Sequence, residues 1–236
     1  MILSISGLKK SFSDRMLFQN FEVNFSLNSI NVLMGFSGSG KTTLLKLIAN
    51  LENRDSGVIS PQLSPIGFVF QKDNLFPWLT IEENLKICSK NFSEILNLVN
   101  KFHLDNLIKK YPYELSGGQR QKINILRSFI NFPQLILLDE PLAHIDSLAR
   151  EEFIAFIKKL NNEIKTTIIY VTHDIDEACL IGEKIYYLCS REKKITQVIS
   201  NSLNTHSTYL NLKSDPQYLE LNKLISLGLK DSINEV

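Results

Sequence analysis

Little in this chain of 236 residues suits a cross-linked, thiolate-metal or membrane-buried protein. Its three cysteines, Cys88, Cys179 and Cys189, are far apart, odd in number and free of any CxxC spacing, which argues against a disulfide framework or a zinc site. They read as small buried hydrophobes in a reducing compartment. Net charge is nearly absent: 26 Lys and Arg against 25 Asp and Glu leave +1, so no global field recommends nucleic acid or an acidic surface as the main partner. No apolar run approaches the roughly 18 residues that a bilayer span needs. The opening MILSISGLKK also lacks a charged region followed by a long apolar stretch. The expectation is a cytosolic protein that reaches a membrane only through a partner. No internal repeat is visible. What is present is 44% hydrophobic residues, which suits a packed core in one large α/β domain or two small ones.

The most informative stretch is INVLMGFSGSGKTTLLKLI, Ile30 to Ile48. A short apolar run meets a glycine-dense turn, Gly35 to Gly40, and then Lys41, Thr42, Thr43 and a helix-prone segment. This is the P-loop pattern GxxxxGK[ST] in strand, loop, helix context. Glycines let the backbone curl with its N–H groups inward, so that a phosphate chain approaches without meeting a Cβ. The following helix aims unpaired N–H groups and its positive dipole end at the same anion. Lys41 is expected to supply charge to the β and γ phosphates of a nucleotide, and the Thr42 hydroxyl to ligate Mg2+. Thr43 is the secondary candidate.

Other polar residues fall where apolar runs end. Ile2 to Ser6 and Phe21 to Leu27 alternate and predict an antiparallel pair at a sheet edge, with Phe12 in the connection between them. Phe12 either stacks on an adenine ring or packs into the edge of the core. Ile66 to Phe70 predicts a strand followed by Gln71, whose amide oxygen suits a metal-bound water or the γ-phosphate. From Lys72 to Phe132 the composition turns helical. Thr80 and Glu83 have capping-box spacing, and Trp78 in FPW is either a partner anchor or a cover for the local helical core. In LSGGQ, Ser116 is a natural N-cap before Gly117, Gly118 and Gln119, which makes a second phosphate cradle without a lysine. Two helix N-termini from distant segments meet at one γ-phosphate only if the second comes from another copy. Leu135 to Leu138 is a continuous apolar run, as in a central parallel strand, and it ends in Asp139 and Glu140. Asp139 is expected at the metal shell and Glu140 as the general base. Asp146 reads as an N-cap. Thr167 to Val171 predicts another buried strand that delivers His173 toward the γ-phosphate. Lys184 to Cys189 is the last expected strand, and beyond Arg191 a polar stretch leads to an amphipathic helix around Tyr218 to Leu229.

Together these residues resemble the ATP-binding subunit of an ABC transporter. GFSGSGKTT, which spans Gly35, Phe36, Ser37, Gly38, Ser39 and Gly40 and on to Thr43, resembles the Walker A loop. Gln71 matches the Q-loop, LSGGQ the signature, LILLDEP the Walker B strand with its catalytic glutamate, LAHID the D-loop and His173 the switch histidine. Phe12 matches the aromatic that stacks on adenine. The resemblance implies an α/β P-loop NTPase core, RecA-like, with an antiparallel β edge and an inserted α-helical subdomain. The core would cover about 1–71 and 133–200, the helical part about 72–132, and a polar linker and helix about 201–236. It also implies Mg2+ and ATP, a homodimer that closes head to tail with Asp146 and the signature serving the opposite site, and a transmembrane permease on the cytoplasmic face. A substrate-binding protein acts indirectly, and nucleic acid takes no part.

The segment VFQKDNLFPWLTIEENL is most similar to importers of the nitrate, sulfonate, taurine and bicarbonate branch. Alternatives are a regulatory ABC-type ATPase at the membrane, or an exporter. A DNA-repair or translation protein is disfavoured by the lack of a coiled-coil insertion, a tandem second domain and a net basic surface. The chain departs from the family pattern at His144 and Ile145 in the D-loop, at Asn124, Leu126 and Ser128 after the signature, and at Asn28 and Ser29 before the P-loop strand.

Overall fold

The computed structural model describes residues 1–236 except 14, 73, 90, 144, 202, 204–214, 235 and 236. The strands are β1 (Ile2–Phe12), β2 (Arg15–Ser26), β3 (Ile30–Met34), β4 (Ser56–Ser60), β5 (Ile66–Val69), β6 (Leu135–Asp139), β7 (Thr167–Val171), β8 (Lys184–Leu188) and β9 (Ile195–Ser200). The α-helices are α1 (Lys41–Ile48), α2 (Ile81–Lys86), α3 (Phe92–Lys101), α4 (Gly117–Phe129), α5 (Ser147–Ile164), α6 (Ile175–Ile181) and α7 (Pro216–Asn234). The chain divides into two compact units, Met1–Leu63 with Thr167–Val236, and Ser64–Thr166.

The first unit holds an antiparallel sheet in the order β2-β1-β4. Ile5 pairs with Val23 on one side and Ile59 on the other. The expected edge pair is present, but both strands run further toward their connection, β1 to Phe12 and β2 from Arg15, so Phe12 is the last residue of β1, not part of a connection. Bulges interrupt the register between Ile5 and Ser11. In the same unit β7, β3 and β8 run parallel, with Val32 opposite Tyr170 and Ile185, and β9 adds antiparallel to β8. All five residues of β3 are buried, as are all five of β7, which fits strands covered on both faces. The turn before β3 uses Asn28 at φ +52, an αL position that asparagine tolerates better than most residues. β4 and β9 were not expected from sequence, and α7 extends beyond the expected Tyr218 to Leu229. Much of the polar stretch up to Thr208 lies outside the described residues.

The second unit pairs β5 with β6 in parallel, Gly67 opposite Ile136. Around this pair stand α2 to α5. The α2 helix begins as expected: Glu83 N–H donates to Thr80 Oγ1, and the Glu83 carboxylate accepts from the Thr80 N–H at 2.8 Å. Ile95, Leu98 and Val99 of α3 are buried, whereas Phe102 is only partly so. Cys179 and Cys189 in the first unit are buried, while Cys88 in the second is only partly buried.

Candidate phosphate and catalytic site

In the first unit the P-loop leaves β3 at Gly35. A Cβ there would lie 2.5 Å from the Leu188 carbonyl oxygen, so the hairpin after β8 leaves no room for a side chain. Gly40 starts α1 at φ +109, where a Cβ would press on the Phe18 ring at 2.8 Å, and no side chain caps this helix. Between them Phe36, Ser37 and Gly38 are exposed. Lys41 is buried, and its Nζ donates to the carbonyl oxygens of Gly35 at 2.8 Å and Phe36 at 3.0 Å. The Ser39 hydroxyl is fully buried with no hydrogen-bond partner among the described residues. Buried polar atoms rarely stay unpaired. An orphan hydroxyl beside a buried ammonium and an uncapped helix N-terminus is a fitting receptor for a phosphate. Thr42, which is exposed, and Thr43 occupy the first turn of α1.

The first unit also holds His173 and Phe12. His173 stands just past β7, whose end is tied to the P-loop strand by Thr172 N–H donating to the Leu33 carbonyl at 3.4 Å. The position of His173 is set by a buried ring that sequence reading missed. Tyr170 and Thr172 hydroxyls donate to Glu177 at 2.9 and 2.8 Å, Asp174 N–H donates to Thr172, and Asp174 caps the Glu177 N–H. Phe12 is 45% exposed with Lys10 Nζ 4.5 Å from its ring centroid, so it is not a core residue and its ring is open to a flat ligand.

In the second unit Gln71 follows β5, and Asp139 and Glu140 follow the buried run of β6. Asp139 is 4% exposed. Glu140 takes φ +46, a left-handed conformation that costs a non-glycine residue about 1–2 kcal/mol. Such strain is retained where the surroundings impose it, and functional sites are enriched in it. Gln71 Nε2 donates to Glu140 Oε2 at 3.4 Å. These two residues share a cavity of about 270 Å3 with Gly117, Gly118 and Asp146.

The signature turn is already partly satisfied from within. Gln119 N–H donates to Ser116 Oγ and Ser116 N–H to Gln119 Oε1, a reciprocal cap, and the helix starts at Gly117, not Gln119. A Cβ at Gly117 or Gly118 would meet only ordinary contacts at 3.8 Å or more, so the chain's own packing does not demand glycine at either. Asp146 caps α5, accepting from the Ala149 N–H at 3.0 Å. The segment before it is held by Gln121 donating to the Pro141 carbonyl and Arg150 to that of Ile145. His144 lies outside the described residues.

Within the second unit Gln71 and Asp139 offer amide and carboxylate oxygens, and within the first Thr42 offers a hydroxyl, each a hard donor of the kind Mg2+ takes. Among the described residues no group of three or more His, Cys, Asp or Glu side chains is arranged to hold a metal ion.

The strand, glycine loop and helix of the first unit define a P-loop nucleoside triphosphatase. Residues 18–143 match the ABC transporter family. The chain belongs to that family and is an ABC-type ATPase. It is 34% identical to the aliphatic sulfonates import ATP-binding protein of Bacillus cereus strain ATCC 10987, over 95% of this chain and 94% of that one. Identity to the sulfate/thiosulfate import ATP-binding protein of Vibrio vulnificus is 36%, over 78% of this chain and 60% of that one. A solved dimeric ATP-binding cassette in a post-hydrolysis state, bound to ADP and Pi, superposes with a TM-score of 0.70 at 28% identity, covering 87% of this chain and all of that one.

Proposed function

We propose that the chain is the ATPase subunit of an importer, in which two copies close head to tail on two ATP molecules and so drive uptake of a small solute through a membrane permease. The names of the similar proteins favour import. The observation that carries the catalytic half is Glu140, which directly follows a fully buried strand and takes a left-handed conformation beside Gln71. A carboxylate held there is suited to orient and polarise the attacking water for in-line displacement. Lys41 and the loop N–H groups hold the phosphates, Ser39 gains the partner it lacks, and His173 contacts the γ-phosphate. Phe12 stacks on the adenine. Thr42, Gln71 and Asp139 would hold Mg2+, which would supply charge neutralisation at the phosphate oxygens.

The trans role of the signature draws on the room at Gly117 and Gly118. Glycines that internal packing does not require suit an outside surface approaching closely, here the second copy's nucleotide. Asp146 sits at the same cavity and would face that copy. Permease docking falls to the second unit. A groove of about 480 Å3 is lined by Phe68, Phe70, Phe76, Ile87, Cys88 and Arg127 among others, and next to Phe76 stands Trp78, 70% exposed. Exposed aromatics beside a groove are the usual anchors of a partner helix. No helix among the described residues is long and apolar enough to cross a membrane, so this reading places the subunit on the cytoplasmic face through the permease. The core and helical-subdomain limits read from sequence stand within the same proposal.

The test is to co-purify the chain with a candidate importer permease from the same cell and to measure ATP hydrolysis with and without that partner. Stimulated hydrolysis in the complex, lost with Trp78→Ala while the isolated subunit keeps its basal rate, is the expected result. Failure of the permease to bind or to alter hydrolysis would overturn the transport assignment.

A further inference from the structure

The hairpin between β8 and β9 carries a lysine that the phosphate-site reading leaves unused. Its turn is closed by Cys189 N–H donating to the Lys194 carbonyl and Lys193 N–H to that of Cys189. Lys193 sits there at φ +54, a conformation that glycine adopts more easily. Its Nζ donates to the carbonyl oxygen of Gly38, at the exposed tip of the P-loop, at 3.0 Å. The tip is otherwise closed only by its own turn, in which the Ser39 N–H donates to the Phe36 carbonyl at 3.2 Å; Gly38 has φ +75, and a Cβ there would meet nothing within 4 Å. The hairpin also closes on the loop's other end, where the Leu188 carbonyl lies against Gly35. Partial burial, and then the charge of Arg15, lower the pKa of the Lys193 ammonium, which marks a second cation at the same edge.

A curled anion loop turns N–H groups inward and carbonyls outward. An ammonium on the Gly38 carbonyl pins one outward group. It also polarises the Gly38–Ser39 peptide, whose N–H donates to the Phe36 carbonyl at 3.2 Å, and so tightens the turn, because hydrogen bonds along one peptide reinforce each other. Lys41 grips the other shoulder through Gly35 and Phe36. Once Lys41 turns to phosphate oxygens, Lys193 is the ammonium that still holds a loop carbonyl, beside the turn's own Ser39 to Phe36 bond.

We propose that Lys193 is a positioning residue for nucleotide binding, holding the P-loop in its anion-receiving curl from outside the cradle. The inference rests on the P-loop reading above. The experiment compares Lys193→Gly, Lys193→Arg and Lys41→Ala with wild type, by titration with a fluorescent ATP analogue, steady-state hydrolysis and melting of the nucleotide-free protein. Lys193→Gly should melt at or above the wild-type temperature, since glycine relieves the left-handed turn, yet bind nucleotide about 3- to 10-fold more weakly, the scale of one lost charge-assisted hydrogen bond. The loss should appear in KM and not in kcat, and Lys193→Arg should recover most of it. Weaker binding with a lowered melting temperature would overturn the proposal in favour of a merely structural role. Wild-type affinity in Lys193→Gly, with Lys41→Ala weakened, would sink the proposal and leave the P-loop reading intact. Wild-type affinity in Lys41→Ala as well would overturn both.

Discussion

Gln71 and Glu140 meet across the ends of two neighbouring parallel strands, Nε2 to Oε2 at 3.4 Å. An amide donor there helps to keep the carboxylate aimed while its backbone is held left-handed. Replacing Glu140 by Gln preserves shape and removes the base. Hydrolysis should fall by roughly 10^2- to 10^4-fold, the range for a lost general base. ATP should still bind, so dimers should accumulate with Mg-ATP, visible by size-exclusion chromatography with light scattering. Phosphate release at the wild-type rate would remove Glu140 from the catalytic role.

Lys41→Ala should behave differently, because it removes a binding charge and not a base. Its Nζ is buried against the loop's own carbonyls, so truncation also leaves two acceptors without their cation. Nucleotide affinity should drop by about tenfold or more, as expected for a hydrogen-bonded charge worth roughly 1.5–3 kcal/mol. Equilibrium titration of labelled ATP checks this; unchanged affinity counts against the phosphate assignment.

Gly118→Ala separates folding from assembly. The new methyl would lie 3.8 Å from the Phe153 ring, an ordinary contact, and alanine favours a helix over glycine by up to about 1 kcal/mol. The melting temperature should hold or rise, while ATP-driven dimerisation and hydrolysis fall by about tenfold through crowding at the shared site. Full activity in this variant would argue that no second nucleotide approaches the signature turn.

Much of this site was legible because each residue sits where an apolar run stops. β3, β6 and β7 are uniformly buried, so their composition announces them, and Gly35, Asp139 and His173 follow at once. β1 and β2 were read too short because Gly7 at φ +59 and Asn20 at φ +53 interrupt the alternation where the strands bulge. β4 and β9 were hidden for another reason. SGVIS and ITQVIS carry several polar or small residues on half-exposed strands, a composition shared with turns. Lys193 gave no local signal at all: a lysine in a basic turn looks solvated, and the carbonyl it binds is 155 residues away. The Glu177 ring is likewise visible only once β7 and α6 are placed together.

The Thr80 and Glu83 cap makes a pH prediction. Hydrogen bonds from the Thr80 backbone N–H, and then its hydroxyl, hold the Glu83 carboxyl below its usual value. The folded state therefore binds fewer protons at this site than the unfolded chain. Its stabilisation is present above the ordinary carboxylate value and is lost as pH falls through the lowered folded value. The melting difference between wild type and Glu83→Ala should be largest near about pH 7 and shrink toward about pH 3. A difference that grows in acid would contradict the cap.

The three thiols differ in a way that equips the native sequence for labelling chemistry. Burial, then the nearby Asp176, pushes the Cys179 thiol up to about 12, and Cys189 is also buried. Cys88 is only partly buried, and its thiol is raised by burial against the opposing charge of Arg127. Because the thiolate is the reacting form, a maleimide at mildly alkaline pH should find Cys88 first. The dye would then sit among Phe76, Ile87 and Arg127 on the groove wall, where its emission would report the arrival of a membrane partner without any engineered cysteine.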